Sequence, residues 1–222
     1  MNPHLTFDWD FVLRHLPAFG PAITLALEIF SLSILFAGLW GILLALGRMS
    51  PSKVVRQLTT AYIELYRNTP LLIQLYFVFF GLPFLGIRLS ALVSGVLAIT
   101  LQHGAFFAEI FRGAIKAISA GQYDAGTALG MSRRQLMRKV ILPQAIRDAM
   151  PPVGNQVVLI LQDTSLVSTI GVMEVTLTGY SLAEQSAARL EMFLTVGAIY
   201  LVLTSLLGAL VRQLELRYRV LR

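Results

Sequence analysis

The sequence predicts an all-α integral membrane domain built from five transmembrane helices. Three observations carry that expectation. Of the 222 residues, 56% have hydrophobic side chains and only 14% are charged. Mean hydropathy is +0.71, outside the range of ordinary soluble domains. Apolar runs approaching the roughly 20 residues needed to cross a bilayer core recur along the chain. The net charge of +6 raises nucleic acid as a partner. Clustered aromatics on a basic surface and nucleic-acid motifs are absent, and membrane topology accounts for positive charge beside apolar spans. The absence of cysteine excludes a disulfide framework and thiolate metal sites, and His4, His15 and His103 are too scattered to form a metal cluster. The first twenty residues carry Asp8, Asp10 and Arg14 in place of a basic segment leading into a short apolar core, so the first apolar run is expected to be a retained span.

The spans are expected at about 21–46, 70–86, 89–110, 150–172 and 193–213, in one membrane domain covering 1–222. The first, third and fifth are long and apolar. In the first, Ser31, Ser33, Gly38 and Gly41 suit close helix packing. The second is short, bounded by Pro70 and Pro83, and must recruit Tyr62, Ile63 and Leu65 or cross a thinned bilayer. The fourth carries Asn155, Gln156, Gln162 and Asp163, so it is expected to face protein or a water-filled path.

Orientation follows from lysine and arginine. With the N-terminus outside, Arg48, Lys53, Arg56 and Arg67 fall inside, as do seven basic residues of the 111–148 loop and Arg212, Arg217, Arg219 and Arg222. That places 15 of the 18 on one side and leaves Arg14, Arg88 and Arg189 on the other. The asymmetry predicts N-out, C-in and an odd number of spans.

The 111–148 loop has its own structure. Leu129-Gly130-Met131-Ser132 reads as a helix stop followed by a start, with Gly130 tolerating a left-handed cap and Ser132 plus Gln135 forming a capping box. At 100° per residue Leu136, Met137, Val140 and Ile141 share one face of a short amphipathic helix that Pro143 is expected to stop. Ala125, Gly126, Ala128 and Gly130 leave a surface almost free of side-chain bulk. Physical chemistry alone leaves open helices resting on the bilayer surface, a protein-docking element or a nucleic-acid contact.

Ionisable groups within spans are costly and are functional candidates by default. Asp163 stands about 16 Å into the fourth span, near the midplane where transporters bind substrate. Its carboxylate suits a substrate ammonium, with Gln162, Thr164 and Ser165 adding hydrogen-bonding groups, or else an interhelical pair that fixes packing. Glu109, three residues before Arg112, is positioned for a structural ion pair. Glu28 snorkels to water or lines an outer vestibule. Gln102 is a candidate for lining a path, and His103 for packing. Neither a GxxxxGK[ST] phosphate loop nor a GxSxG or HExxH motif occurs, so no catalytic, cofactor or metal residue is assigned to this chain.

Asp124-Ala125-Gly126, Gly130, Val140, Leu142 and Pro143 resemble the EAA loop of ABC importer permeases, a Glu-Ala-Ala triplet followed by Gly and then Ile-x-Leu-Pro. Asp124, Gly126 and Val140 depart from that pattern conservatively. Arg67-Asn-Thr-Pro-Leu-Leu-Ile-Gln74, Gly104-Ala-Phe-Phe-Ala-Glu-Ile-Phe-Arg-Gly113, Ile141-Leu-Pro-Gln-Ala-Ile-Arg147 and Gln162-Asp-Thr-Ser-Leu166 are similar to blocks of the polar amino acid permeases, the His/Glu/Gln/Arg and opine family. The resemblance covers roughly residues 18–215. It implies a MetI-like type I ABC importer permease core in a bacterial cytoplasmic (inner) membrane. A coupling loop using Gly121, Asp124, Ala125, Gly126, Gly130, Leu142 and Pro143 would dock on an ABC ATPase dimer that binds ATP-Mg. The implied partners are a second permease copy or sister permease, an extracytoplasmic substrate-binding protein and an amino acid substrate. A stand-alone secondary transporter or channel is the alternative, and it would need its own coupling-ion sites.

Overall fold

Helices form wherever the apolar runs are long. The computed structural model describes residues 7–186 and 188–219, and the described residues form helices and turns with no strand among them. His4 and Arg222 lie outside the described residues. The helices are α1 (Trp9–His15), α2 (Phe19–Arg48), α3 (Lys53–Arg67), α4 (Leu71–Tyr76), α5 (Ala91–Ala117), α6 (Ala120–Ala128), α7 (Arg133–Leu136), α8 (Leu142–Asp163), α9 (Val175–Glu184) and α10 (Arg189–Arg219). A π-helical turn at Phe77–Gly81 and a 3-10 turn at Leu82–Leu85 extend α4, and a 3-10 stretch at Thr164–Ile170 follows α8.

Three segments are long and apolar enough to span a bilayer by themselves: Trp9–Arg48, Ala91–Ala117 and Arg189–Arg217. Two bent pairs, Lys53–Arg67 with Leu71–Leu85 and Arg133–Ile170 with Val175–Glu184, pass only when each pair is taken together, giving three to five candidate spans. The short second run reaches membrane length only when taken with the preceding helix, and the two are separated by a bend at 68–70. Proline disfavours helix at the residue before it, and Asn68 caps α3 through its N–H to the Glu64 carbonyl.

The chain divides into two compact units. One comprises Met1–Ile34, Leu71–Ile99 and Val158–Leu207, and the other Leu35–Pro70, Thr100–Val157 and Gly208–Arg222. In the first, Phe19, Ala22 and Ala26 of α2 pack with Val175 and Ala183 of α9 and Met192 of α10. In the second, α2 and α5 approach closely. A Cβ on Gly41 would meet Phe107 Cβ at 2.5 Å, and one on Gly104 would meet Trp40 Cδ1 at 2.5 Å. Gly38, expected to serve the same purpose, has open space where a Cβ would stand.

A second cluster in that unit corrects the expectation for the 111–148 region. Leu136, Ile141, Ala145 and Ala149 pack against Ala114 and Ile118, with Met137 and Val140 partly buried beside them. The amphipathic face therefore covers this chain's own α5. Pro143 also does not stop the helix. The turn at Met137–Ile141 is π-helical and runs straight into α8. A wider turn ahead of the proline removes the clash of its ring with the preceding turn and the need for its missing N–H.

Candidate functional site

The turn between α6 and α7 is closed by its own backbone and caps. Gly130 is left-handed, φ 69°, which only glycine adopts without strain. Leu129 N–H reaches the Ala125 carbonyl at 3.0 Å, Gly130 N–H the Thr127 carbonyl at 2.9 Å and Met131 N–H the Gly126 carbonyl at 3.0 Å. On the other side Ser132 Oγ accepts from Gln135 N–H at 3.3 Å while Gln135 Oε1 accepts from Ser132 N–H at 2.9 Å. These bonds satisfy groups that helix ends otherwise leave open.

The small residues of this hairpin have two different jobs. Gly126 is buried, and any Cβ there would collide with Leu136 Cδ1, so its lack of bulk lets α6 and α7 meet. Gly121, Asp124, Ala125, Ala128 and Gly130 are exposed. Between them Leu129, 80% exposed, projects as a single large apolar side chain. Leu129 was not a candidate from sequence. Its signal was a large apolar residue directly before the cap glycine of a polar hairpin. Leu142 and Pro143, also exposed, stand in the first turn of α8.

A second constellation lies where α2, α3 and α5 meet in the same unit. Glu109 receives Arg112 in two bonds, 2.9 Å from Nε and 2.5 Å from Nη2, and Arg48 Nε at 3.4 Å. Arg48 also donates to Thr60 Oγ1. Further along α5, Gln102 is buried, and its amide donates to the Thr69 carbonyl at 3.0 Å and the Tyr66 carbonyl at 3.4 Å. Gln102 thus fills the end of α3. His103 and Gln156 form a buried pair at 2.5 Å.

The candidates at the end of α8 are distributed unevenly. Asp163 is the last residue of α8 and is half-buried, as is Ser165, while Gln162 is exposed. Thr164 is buried, donates to the Leu161 carbonyl at 2.7 Å and stands 3.4 Å from the Tyr200 hydroxyl. Tyr200 donates to Glu174 at 2.6 Å, and Glu174 also accepts from the N–H groups of Thr176 and Leu177, 2.8 to 3.1 Å away. Glu174 is fully buried and was missed in the sequence. The helix start it caps, with Thr176 two residues on, was its only signal. Glu28 is exposed on α2.

The family model described as "Binding-protein-dependent transport system inner membrane component" matches residues 37–220. The chain belongs to that family. This permease is 37% identical over 202 residues to the probable amino-acid permease protein YxeN of Bacillus subtilis (strain 168), covering 90% of each chain. It is 34% identical over 219 residues to the glutamine transport system permease protein GlnP of Escherichia coli (strain K12), covering 98% of this chain and all of that one. A crystal structure of an amino acid ABC transporter with histidines superposes with a TM-score of 0.91 at 32% identity, over 96% of this permease and 100% of that chain. The permease therefore has the all-helical MetI-like fold, and membership in a binding-protein-dependent system displaces the stand-alone transporter or channel.

Proposed function

We propose that this permease carries a polar amino acid, or a close derivative, inward across a bacterial cytoplasmic membrane. It works as one domain of five spans, N-out and C-in, and ATP-Mg is bound and hydrolysed by a separate ABC ATPase dimer. The α6–α7 hairpin then lies in the cytoplasm, where its basic residues satisfy the positive-inside rule. A second permease, identical or sister, completes the translocation pathway, and an extracytoplasmic binding protein delivers substrate.

The observation that carries this reading is the hairpin itself. Its interior is closed by Gly126 on Leu136, and its outer surface offers Asp124, Ala125 and the 80% exposed Leu129. A rigid knob of that form couples two bodies without any catalytic residue of its own. Gly121, Gly130, Leu142 and Pro143 flank it. In the other unit Asp163, with Gln162, Thr164 and Ser165 beside it, supplies a carboxylate for the substrate's ammonium. The names of YxeN and GlnP support an amino acid as cargo.

The test is co-purification and substrate-stimulated ATP turnover of the reconstituted complex. Leu129→Glu should lower both at least tenfold, because a desolvated anchor carries a large share of an interface's energy. Its exposure leaves the fold untouched. Unchanged association in both Leu129→Glu and Asp124→Arg would refute docking at the hairpin. For the cargo, Asp163→Asn should raise the transport KM for amino acids with little change in ATPase association; an unchanged KM would remove Asp163 from the pathway.

A further inference from the structure

Two cavities in the second unit share one side chain. The larger, about 390 Å³, is lined entirely by apolar residues of α2, α5, α8 and the Met49 that follows α2. The smaller, about 370 Å³, is lined by Arg48, Met49, Arg56, Arg112 and Lys116. Met49 borders both. Along α2 the lining positions Ile42, Ala45, Leu46 and Met49 repeat every three or four residues, so they form one stripe, and α8 repeats the pattern from Leu142 to Val153. The stripe runs about 10 Å along α2. Ile42, Leu46 and Ile146 are each about half exposed at its edge.

Two of the four cations stand at the ends of membrane-length helices. Arg48 closes α2 and Lys116 is in the last turn of α5. Glu109 answers part of this charge, holding Arg112 and Arg48. Four cations against that one carboxylate leave a local surplus of three positive charges. Arg56 donates from Nη1 to the Ser50 carbonyl at 3.0 Å, and Lys116 is exposed. Excess positive charge at a helix end, sharing Met49 with an apolar groove along a membrane-length helix, matches a molecule with an anionic head and a long apolar tail.

We propose that this composite groove is a binding site for an anionic glycerophospholipid, its phosphate among Arg48, Arg56, Arg112 and Lys116 and one acyl chain along Ile42, Leu46 and Ile146. The inference rests only on the chain spanning a bilayer and would survive failure of the amino acid assignment. Bound there, the lipid ties α2 and α5 to α8, whose helix is continuous with the hairpin.

The experiment uses the full-length permease with the subunits that co-purify, in detergent micelles, read by native mass spectrometry. Dioleoylphosphatidylglycerol and dioleoylphosphatidylcholine are titrated separately, with glycerol 3-phosphate and inorganic phosphate as headgroup-only competitors. The expected result is at least fivefold tighter retention of phosphatidylglycerol. Arg56→Gln with Lys116→Gln should weaken it by about fivefold for each cation removed. Glycerol 3-phosphate and phosphate at concentrations equal to the lipid should fail to displace it. Equal retention of the two lipids, a double variant that keeps the preference, or displacement by either small anion overturns the proposal. Should the double variant not fold, the lipid comparison and the competition on the natural sequence still decide.

Discussion

Gly126→Ala separates two physical effects of opposite sign. In a helix interior alanine is favoured over glycine by about 1 kcal/mol, so on propensity alone the substitution stabilises α6. In this fold the new Cβ lands on Leu136 Cδ1, and Leu136 is held by Ile141, Ala145 and Ile118 in a buried cluster. Overpacking of that kind costs about 1–3 kcal/mol, so the net expectation is a loss of up to about 2 kcal/mol. Leu136→Ala alone opens a cavity and costs about 2–5 kcal/mol at a well-packed position. Combining the two relieves the collision. The double variant should then be more stable than the sum of the singles by about 1–3 kcal/mol, a coupling that independent sites do not show. Hydrogen exchange of the amides in 120–136 measures this locally. Greater protection of α6 in Gly126→Ala, with additivity in the double variant, would refute close packing as the reason for glycine. It would return Gly126 to the outer, partner-facing surface.

Two further substitutions address the polar clusters. Glu109→Gln leaves Arg48 and Arg112 facing each other without their carboxylate. The side chains are about one-sixth to one-quarter exposed, so the loss should be about 1–3 kcal/mol, below that of a fully buried pair, and seen as a lower thermal midpoint in detergent. A midpoint equal to that of the natural sequence would show the pair to be dispensable. Tyr200→Phe deletes the hydroxyl bond to Glu174 while keeping its backbone bonds. A typical intramolecular hydrogen bond contributes about 0.5–1.5 kcal/mol net, so α9 should exchange faster in its first turn and the protein should melt earlier. Exchange confined to its natural rate would place Tyr200 outside the support of α9.

Hydropathy and caps made much of this fold legible. The long apolar runs became α2, α5 and α10, and Ser132 with Gln135 formed its capping box at the position their spacing indicated. What escaped was how helices are interrupted. Pro143 reads locally as a stop, yet a π turn over Met137–Ile141 accommodates it, because the buried Ile141 keeps the chain packed through the irregular turn. The small-residue stripe 125–130 reads as one surface, yet tertiary packing turns Gly126 inward and leaves Ala125 and Leu129 outward. Period and composition carry no information about which of two facing helices a gap serves. Glu174 was invisible because a carboxylate just ahead of a helix start looks like an ordinary surface cap.

The interruptions also explain why polar residues persist in such an apolar chain. A helix end leaves backbone groups open, and in hydrocarbon each one is costly. Gln102 answers this at the end of α3 by donating to the Thr69 and Tyr66 carbonyls. Glu174 answers it at the start of α9 by accepting from Thr176 and Leu177. An ionisable residue in a span is therefore not by itself a sign of cargo. A carboxylate that receives two backbone N–H groups, one of them shared by both oxygens, and the Tyr200 hydroxyl has most of its acceptor capacity committed to its own unit. Glu174 consequently belongs to the scaffold of its unit. The same carboxylate holds the Tyr200 hydroxyl, which stands 3.4 Å from Thr164 at the start of the 3-10 stretch that follows Asp163.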